Sequence, residues 1–599
     1  MNENKKSLYA IVLFLFIGFA LIQSKRSSTP LDITKNELMN HIRYLSHEKR
    51  EGRYPGSRGS KDAISYIVKK FKSYGVQPGA NNSFIQSFNI KTGIQLGDSN
   101  FIKINNNLLN VNKEFIPLSF SGQGKASGKA VFVGYGFKIN NNDIIWDDYK
   151  QIDVNGKWAI IMRHSPDREN KTSLYSEHSS LHKKMIVARD EGAIGVLYVS
   201  QTEEKDLFPL QYLPNYKNAE IPVIHLSNEV SDNLFKKLGW TRKKIQQKMN
   251  STLSPISFDL GNTIIEAKVN LALITSRAAN IVGLIKSGNR EFRDEYVVIG
   301  AHFDHIGYGG HSSGSRTKKT NIIHQGADDN ASGTSGLLEL AQKLSAQKGR
   351  LKRSILLIGF DAEEKGLLGS NYFTENPTIP IDKIATMINM DMIGRMKDST
   401  FTVGGVGTSP IFLDLLDSLS RQKPYKINKT LPGFGPSDHA AFYSKNIPVL
   451  FFFSGFHDEY HTPEDTWKLI NLNGQKDIVD FIYDTVFFLA RTSKRPVFTK
   501  SGPINGPMKV PNLLKITFGI VPSYNSSEIG LEIDQISNSE GSAAKAGLLK
   551  GDIIKSINKK IVKDIYEYME RLNDLKPGMI IPVEVEREKN ILTFDLQIE

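Results

Sequence analysis

Cysteine is absent from all 599 residues, which removes disulfides, cysteine-ligated zinc, iron–sulfur clusters, thiolate nucleophiles and a lipid-modified N-terminal cysteine from consideration. Any metal must be held by histidine and carboxylate. Arginine-rich helices and aromatic–basic ladders are also missing. The formal charge of +13 comes from lysines scattered through every region, the pattern of a solvated surface and not of a nucleic-acid footprint. Only one long apolar run is present: residues 8–22, fifteen residues after Lys5 and Lys6, short for a membrane span and suited to an export signal. No clear Ala-x-Ala cleavage site follows and Lys25-Arg26 come next, so an uncleaved N-terminal membrane anchor fits as well. Export is expected in both cases, to the periplasm, to the medium, or anchored facing outside the cytoplasm.

What remains is ordinary globular composition, 40% hydrophobic, 10% aromatic and 23% charged, which excludes wholesale disorder, a fibrous repeat and a polytopic membrane protein. The length predicts two to four domains. After the leader (1–30), residues 35–75 read as helix, then the turn-rich Glu51-Gly52-Arg53-Tyr54-Pro55-Gly56-Ser57, then a helix with apolar Ile64, Ile67, Val68 and Phe71. Strand-like runs at 129–135 and 158–162, a helix at 181–191 and a strand at 194–200 suggest a separate α/β module. From about residue 280, continuous apolar runs at 296–301, 354–360, 385–389 and 448–453 alternate with helices, as in the central strands of a mostly parallel sheet. Pro-Gly-Asn punctuation at 496–511 marks a linker before a final β-rich stretch of about 90 residues with one helix, 565–572.

Seven of the thirteen histidines fall between His302 and His461. Four candidate ligand groups follow predicted strands directly: His302 with Asp304, Glu363 with Glu364, Asp391, and the segment 457–461. Carboxyl ends of strands in an open α/β sheet converge on one crevice, so residues far apart in sequence can meet there. A fifth group, in Gly326-Ala327-Asp328-Asp329-Asn330-Ala331-Ser332-Gly333, precedes a helix. One aspartate there would serve as a cap; two adjacent aspartates ask for more. Gly310-His311-Ser312-Ser313-Gly314 matches a serine-hydrolase elbow by letter but lacks the flanking strand and helix.

The segments Gly300-Ala301-His302-Phe303-Asp304, Ala327-Asp328-Asp329-Asn330-Ala331-Ser332-Gly333, Asp361-Ala362-Glu363-Glu364-Lys365-Gly366, Asn389-Met390-Asp391-Met392-Ile393-Gly394 and Tyr460-His461-Thr462 resemble, in order and in spacings of 27, 35, 27 and 70 residues (302 to 329, 329 to 364, 364 to 391, 391 to 461), the motifs of the secreted two-zinc aminopeptidases. The resemblance implies two Zn²⁺ ions bridged by Asp329, with His302 and Asp391 completing one ion's ligands and Glu364 and His461 the other's. It implies Glu363 as general base, Tyr460 as hydrogen-bond donor to the oxyanion and Asp304 as the partner of the free ring N–H of His302. His305, His311, His324, His439 and His457 are expected to be surface or core groups, and Asp438 to support the site without coordinating.

Residues 119–263 resemble a protease-associated insert, through Val133-Gly134-Tyr135-Gly136-Phe137 and the helix and strand after it. Residues 512–599 resemble a PDZ domain, through Phe518-Gly519-Ile520-Val521 and the stretch 541–554. The expected fold is therefore a three-layer α/β zinc-peptidase domain with a mixed, mostly parallel sheet (31–118 and 264–495), interrupted by the insert and followed by the linker and a PDZ-like β-rich domain. The implied function is an exported aminopeptidase acting on peptide substrates, with Phe518, Gly519 and Ile520 receiving protein C-termini and no nucleic-acid partner. A carboxypeptidase or glutaminyl cyclase of the same superfamily is the nearest alternative. A non-catalytic peptide-binding protein on a dead scaffold is the alternative from another class.

Overall fold

The computed structural model describes residues 32–140, 143–170, 173–202, 204, 207–212, 218–310, 313–317, 319, 321–502, 516–522, 530–536, 541–563 and 565–598. The leader, most of the linker and part of the 310–314 segment lie outside the described residues. The chain divides into two compact units, one of residues 1–90 and 277–506, the other of 91–276 and 507–599.

In the first unit the continuous apolar runs become strands whose two faces are both buried. Tyr296–His302 lies between Ser354–Phe360 and Ile384–Met390, and Val449–Phe453 follows on the far side of Ile384–Met390, all four parallel. The sheet is mixed, because Leu271–Ile285 and Thr400–Gly404 pair antiparallel at its flanks. Alternate residues of each strand point to opposite faces. Val297, Ile299, Leu357 and Ile388 meet the helices Lys35–Leu45, Arg58–Ser73, Gly333–Ala346 and Leu472–Arg491 in one core. Val298, Leu356, Ile358 and Met387 meet Phe373, Phe442 and Tyr443 in the other. Three layers result. Each fully buried Leu, Ile or Phe contributes roughly 1.5–3 kcal/mol relative to exposure. This double burial is why these strands read as unbroken apolar runs.

In the second unit, an eight-stranded mixed sheet has parallel Ala130–Phe132, Trp158–Met162, Gly195–Val199 and Val223–Leu226 at its centre. Helix Leu181–Asp190 is capped by Ser180, whose side chain accepts the amide of Lys183. The sheet extends past the expected 119–263, since Phe101–Ile104 and Phe115–Pro117 join it from one end and Ser257–Val269 from the other. Phe101–Ile104 and Phe115–Pro117 are only four and three residues long, too short to show a period in the sequence. The C-terminal residues form a separate β-rich sheet over a core of their own, including Phe518, Ile533, Val583 and Leu596, with one long helix, Ile565–Asn573.

Candidate metal centre

The four parallel strands end together, and the loops beyond their carboxyl ends carry the predicted residues. Asp329 is divided between two clusters. Its Oδ1 lies 3.4 Å from His302 Nε2, which is itself 3.3 Å from Asp391 Oδ1. Its Oδ2 lies 3.1 Å from His461 Nε2, which is also 3.1 Å from Glu364 Oε2. All five expected ligands therefore converge. Glu363 Oε2 stands 3.9 Å from His302 Nε2, and a carboxylate oxygen of Glu363 falls in one group with a ring nitrogen of His302 and a carboxylate oxygen of Asp391.

The loops are held by bonds that the motifs encode. Asn330 donates from Nδ2 to Met390 O and accepts from Gly333 and Met392 amides. Asp328 accepts the Gly394 amide at 2.6 Å, and Ser332 accepts that of Ile393. The first of the adjacent aspartates thus ties the 327–332 loop to the 391–394 loop, while the second faces the centre. Asp465 accepts the backbone amides of both Asp328 and Asp329. Gly326 has φ +54°, and a Cβ there would meet Asp329 O at 2.1 Å, so only glycine fits this entry to the loop. Ala362, Met392 and His461, at or beside expected site residues, also adopt left-handed φ values of 59°, 52° and 55°, local strain of the kind concentrated at functional sites.

Asp304 has a backbone role beside the one expected. Its oxygens accept the amides of Glu363 at 3.0 Å and Glu364 at 3.4 Å, whereas His302 Nδ1 is 3.5 Å away. It shapes the double-glutamate turn more directly than it fixes the imidazole. Tyr460 stacks on the His461 ring at 3.9 Å. Burial and the carboxylates Asp329 and Glu364 raise its pKa, keeping the hydroxyl protonated.

His305 was expected to be a surface or core group; it is buried, and beside the expected ligands. Its Nδ1 lies 2.7 Å from Glu364 Oε1 and 3.8 Å from Asp329 Oδ2. The cause is Arg53, whose buried guanidinium donates to the carbonyls of Phe303, Leu45, Gln325 and Gly326 and so folds the chain after the His302 strand back toward the centre. Burial lowers the Arg53 pKa only to about 10, so it stays cationic beneath the carboxylates. The Glu51 to Ser57 turn was legible in the sequence; nothing local said what its arginine would hold. The other histidines stand outside the clusters: His324 bonds Ser315 and Ile322 O, His439 stacks on Phe451, and His457 lies 3.3 Å from Asp328. His311 falls outside the described residues.

The site is rich in mutually repelling charge. Burial raises the pKa of Glu363 well above its ordinary value, and Asp391 and Glu364 add to the rise. Burial also lifts Asp438 and Asp465 to about 7. Burial lowers the His461 pKa, but hydrogen bonds to Asp329 and Glu364 outweigh it and lift the value to about 11. So many buried carboxylates around three imidazoles fit a centre completed by divalent cations. In the C-terminal domain, Phe518 is buried, and the Gly519 amide donates to Thr517 Oγ1 at 3.0 Å.

An α/β unit with paired histidine–carboxylate clusters beyond its parallel strands defines a metal-site domain of hydrolase type. Residues 280–486 match the peptidase family M28, 122–234 the PA domain and 520–598 the PDZ domain. The chain is therefore built from an M28 peptidase domain, a PA-domain insert and a C-terminal PDZ domain. It is similar to Aminopeptidase YwaD of Bacillus subtilis, 27% identical over 249 residues (39% of this chain, 49% of that protein). It is also similar to a glutamate carboxypeptidase 2 homolog of Caenorhabditis briggsae, 24% identical over 432 residues (59% and 51%). Among solved structures, the aminopeptidase from Aneurinibacillus sp. strain AM-1 aligns at 22% identity over 78% of this chain and 96% of that one, with a TM-score of 0.46. The chain spans about half the length of the curated relatives it matches.

Proposed function

We propose that the chain is an exported zinc metallopeptidase that removes N-terminal residues from peptides. The divided carboxylate of Asp329 carries the reading, because one oxygen in each cluster suits a bridge between two cations. A donor set of imidazole and carboxylate without thiolate is one that zinc accepts. His302 and Asp391 would hold one ion, Glu364 and His461 the other. When bound, such ions polarise a scissile carbonyl and acidify water. The rest of the chemistry belongs to the chain. Glu363 takes the proton of the attacking water and passes it to the leaving amine. The Tyr460 hydroxyl donates to the developing oxyanion, and Asp304 positions the turn that carries Glu363.

The PDZ domain would receive extended peptide ends near Phe518, Gly519 and Ile520, an added strand supplying main-chain hydrogen bonds. Export rests on the apolar run at 8–22 and is tested by fractionating cells that make the full chain.

The deciding experiment measures turnover of aminoacyl anilides and of N-acetylated peptides with free C-termini, before and after chelation. Cleavage confined to substrates with a free amine, and abolished by the chelator, is expected. Release of C-terminal residues from the acetylated peptides would favour a carboxypeptidase, the activity named for the nematode relative. A protein that neither retains metal nor turns over any substrate would favour the non-catalytic peptide binder.

A further inference from the structure

The PA insert and the PDZ domain lie in one compact unit, and two helices carry the charges between them. Arg189 Nη1 lies 2.8 Å from Glu567 Oε1, Arg571 Nη1 2.6 Å from Asp190 Oδ2, and Lys183 Nζ 3.0 Å from Glu570 Oε2. Beside them Lys563 Nζ reaches Glu220 Oε1 at 2.6 Å and Asn218 O at 3.1 Å. The central side chains are well buried: Glu567 is 1% exposed, Arg571 2% and Arg189 8%.

Each helix carries both signs, so the pairing fixes a register. Moving the insert one helical turn along the PDZ helix would set Arg189 against Arg571 in place of Glu567. The groups are also held in place from their own side. Arg571 donates to Ile561 O at 3.0 and 3.1 Å, and Glu567 accepts the Lys563 amide at 3.2 Å. Buried charges arranged in this way are costly unless the partner is present. Next to that charged face the PDZ helix packs Tyr568 against Phe518, ring centroids 5.8 Å apart, so the same helix touches the expected chain-end segment.

We propose that the PA insert is the PDZ domain's docking partner within the chain, through a register-specific charge clamp on helix Ile565–Asn573, so that a peptide end held near Phe518 is presented on a single accessory body. The inference is independent of the peptidase reading.

The cysteine-free full chain offers a background-free test. Lys183→Cys and Glu570→Cys replace the outermost pair and leave the buried pairs intact, and a short bis-maleimide should join them within one chain, read as a linked peptide pair by mass spectrometry. Adding Asp190→Arg should lower the yield about fivefold or more, because it faces Arg571 with a like charge. Adding Arg571→Glu to that variant should restore it. Lys563→Glu, repaired by Glu220→Lys, gives a second cycle at more exposed positions should the buried swap fail to fold. No cross-link in the parent pair overturns the docking. A yield unmoved by both single reversals, or rescued by neither swap, overturns the charge clamp.

Discussion

Lys184 in the PA insert and Asp329 in the peptidase domain are both buried ionisable groups, and the protein treats them in opposite ways. Lys184 donates to Met162 O and His164 O and sits 4.8 Å from the Phe137 ring. Arg242, also in the insert, bonds Asp232 with Nε and Nη2, and Ser200 O and Asn228 with Nη1. These two buried groups of the insert are satisfied by protein. Around Asp329 the carboxylates outnumber the cations they touch: Asp329, Glu363, Glu364, Asp391 and Asp304 share three imidazoles, two of them raised in pKa by the crowding. Burial alone does not mark a functional site. Buried charge that the chain leaves for something else to neutralise does.

The sharpest way to break this contrast is to remove groups from the centre. Glu363→Gln should cut turnover by roughly 10²–10⁴ with metal content unchanged, since general acid–base catalysis is worth that much and the side chain is assigned no ion. Its inclusion with His302 and Asp391 in one ligand-type group makes the metal assay decisive: a variant that loses zinc makes Glu363 a ligand. Glu364→Ala should instead weaken one ion, with activity partly recovered in excess zinc.

Metal removal should separate the two regions. A ligand present at a thousand times its Kd adds about 4 kcal/mol to the state that binds it. Chelation should therefore increase hydrogen exchange around 384–394 and leave the strands at 158–162 and 195–199 unchanged. Equal loosening of both would show that the contrast in buried charge has no energetic counterpart.

Lys184→Met should cost roughly 1–3 kcal/mol by stranding two buried carbonyls, read by denaturant unfolding, with metal content unaffected. The smallest effect is expected at Glu204. Burial raises its pKa, but the His164 hydrogen bond and Arg163 outweigh that and lower it from 4.5 to about 2. A depressed carboxylate stabilises the fold fully above pH 4.5 and loses that contribution as pH falls toward 2. Glu204→Gln should flatten the pH dependence in that window by roughly 1 kcal/mol after solvent screening, seen in acid unfolding curves.

Patterns that act over a few residues are legible in the amino-acid sequence. The runs at 296–301 and 354–360 form strands because burial on both faces leaves no polar alternation, and the five expected ligands are readable because each belongs to a short motif, most of them at or just after the end of such a strand. His305 escaped because its placement depends on Arg53, some 250 residues earlier, and Asp465 because its role is to accept two amides from the 328–329 loop. Neither residue stands in a local pattern that differs from a surface turn.

The sequence by itself determined the chemical inventory: no thiolates, and histidine and carboxylate at and beyond strand ends. Only the tertiary structure decided which oxygen of Asp329 faces which cluster, that Asp304 serves two amides ahead of an imidazole, and that Arg571 meets Asp190. Those outcomes depend on distances between segments remote along the chain. They are set by the packing of whole layers, to which no short stretch of sequence holds more than a small part of the information.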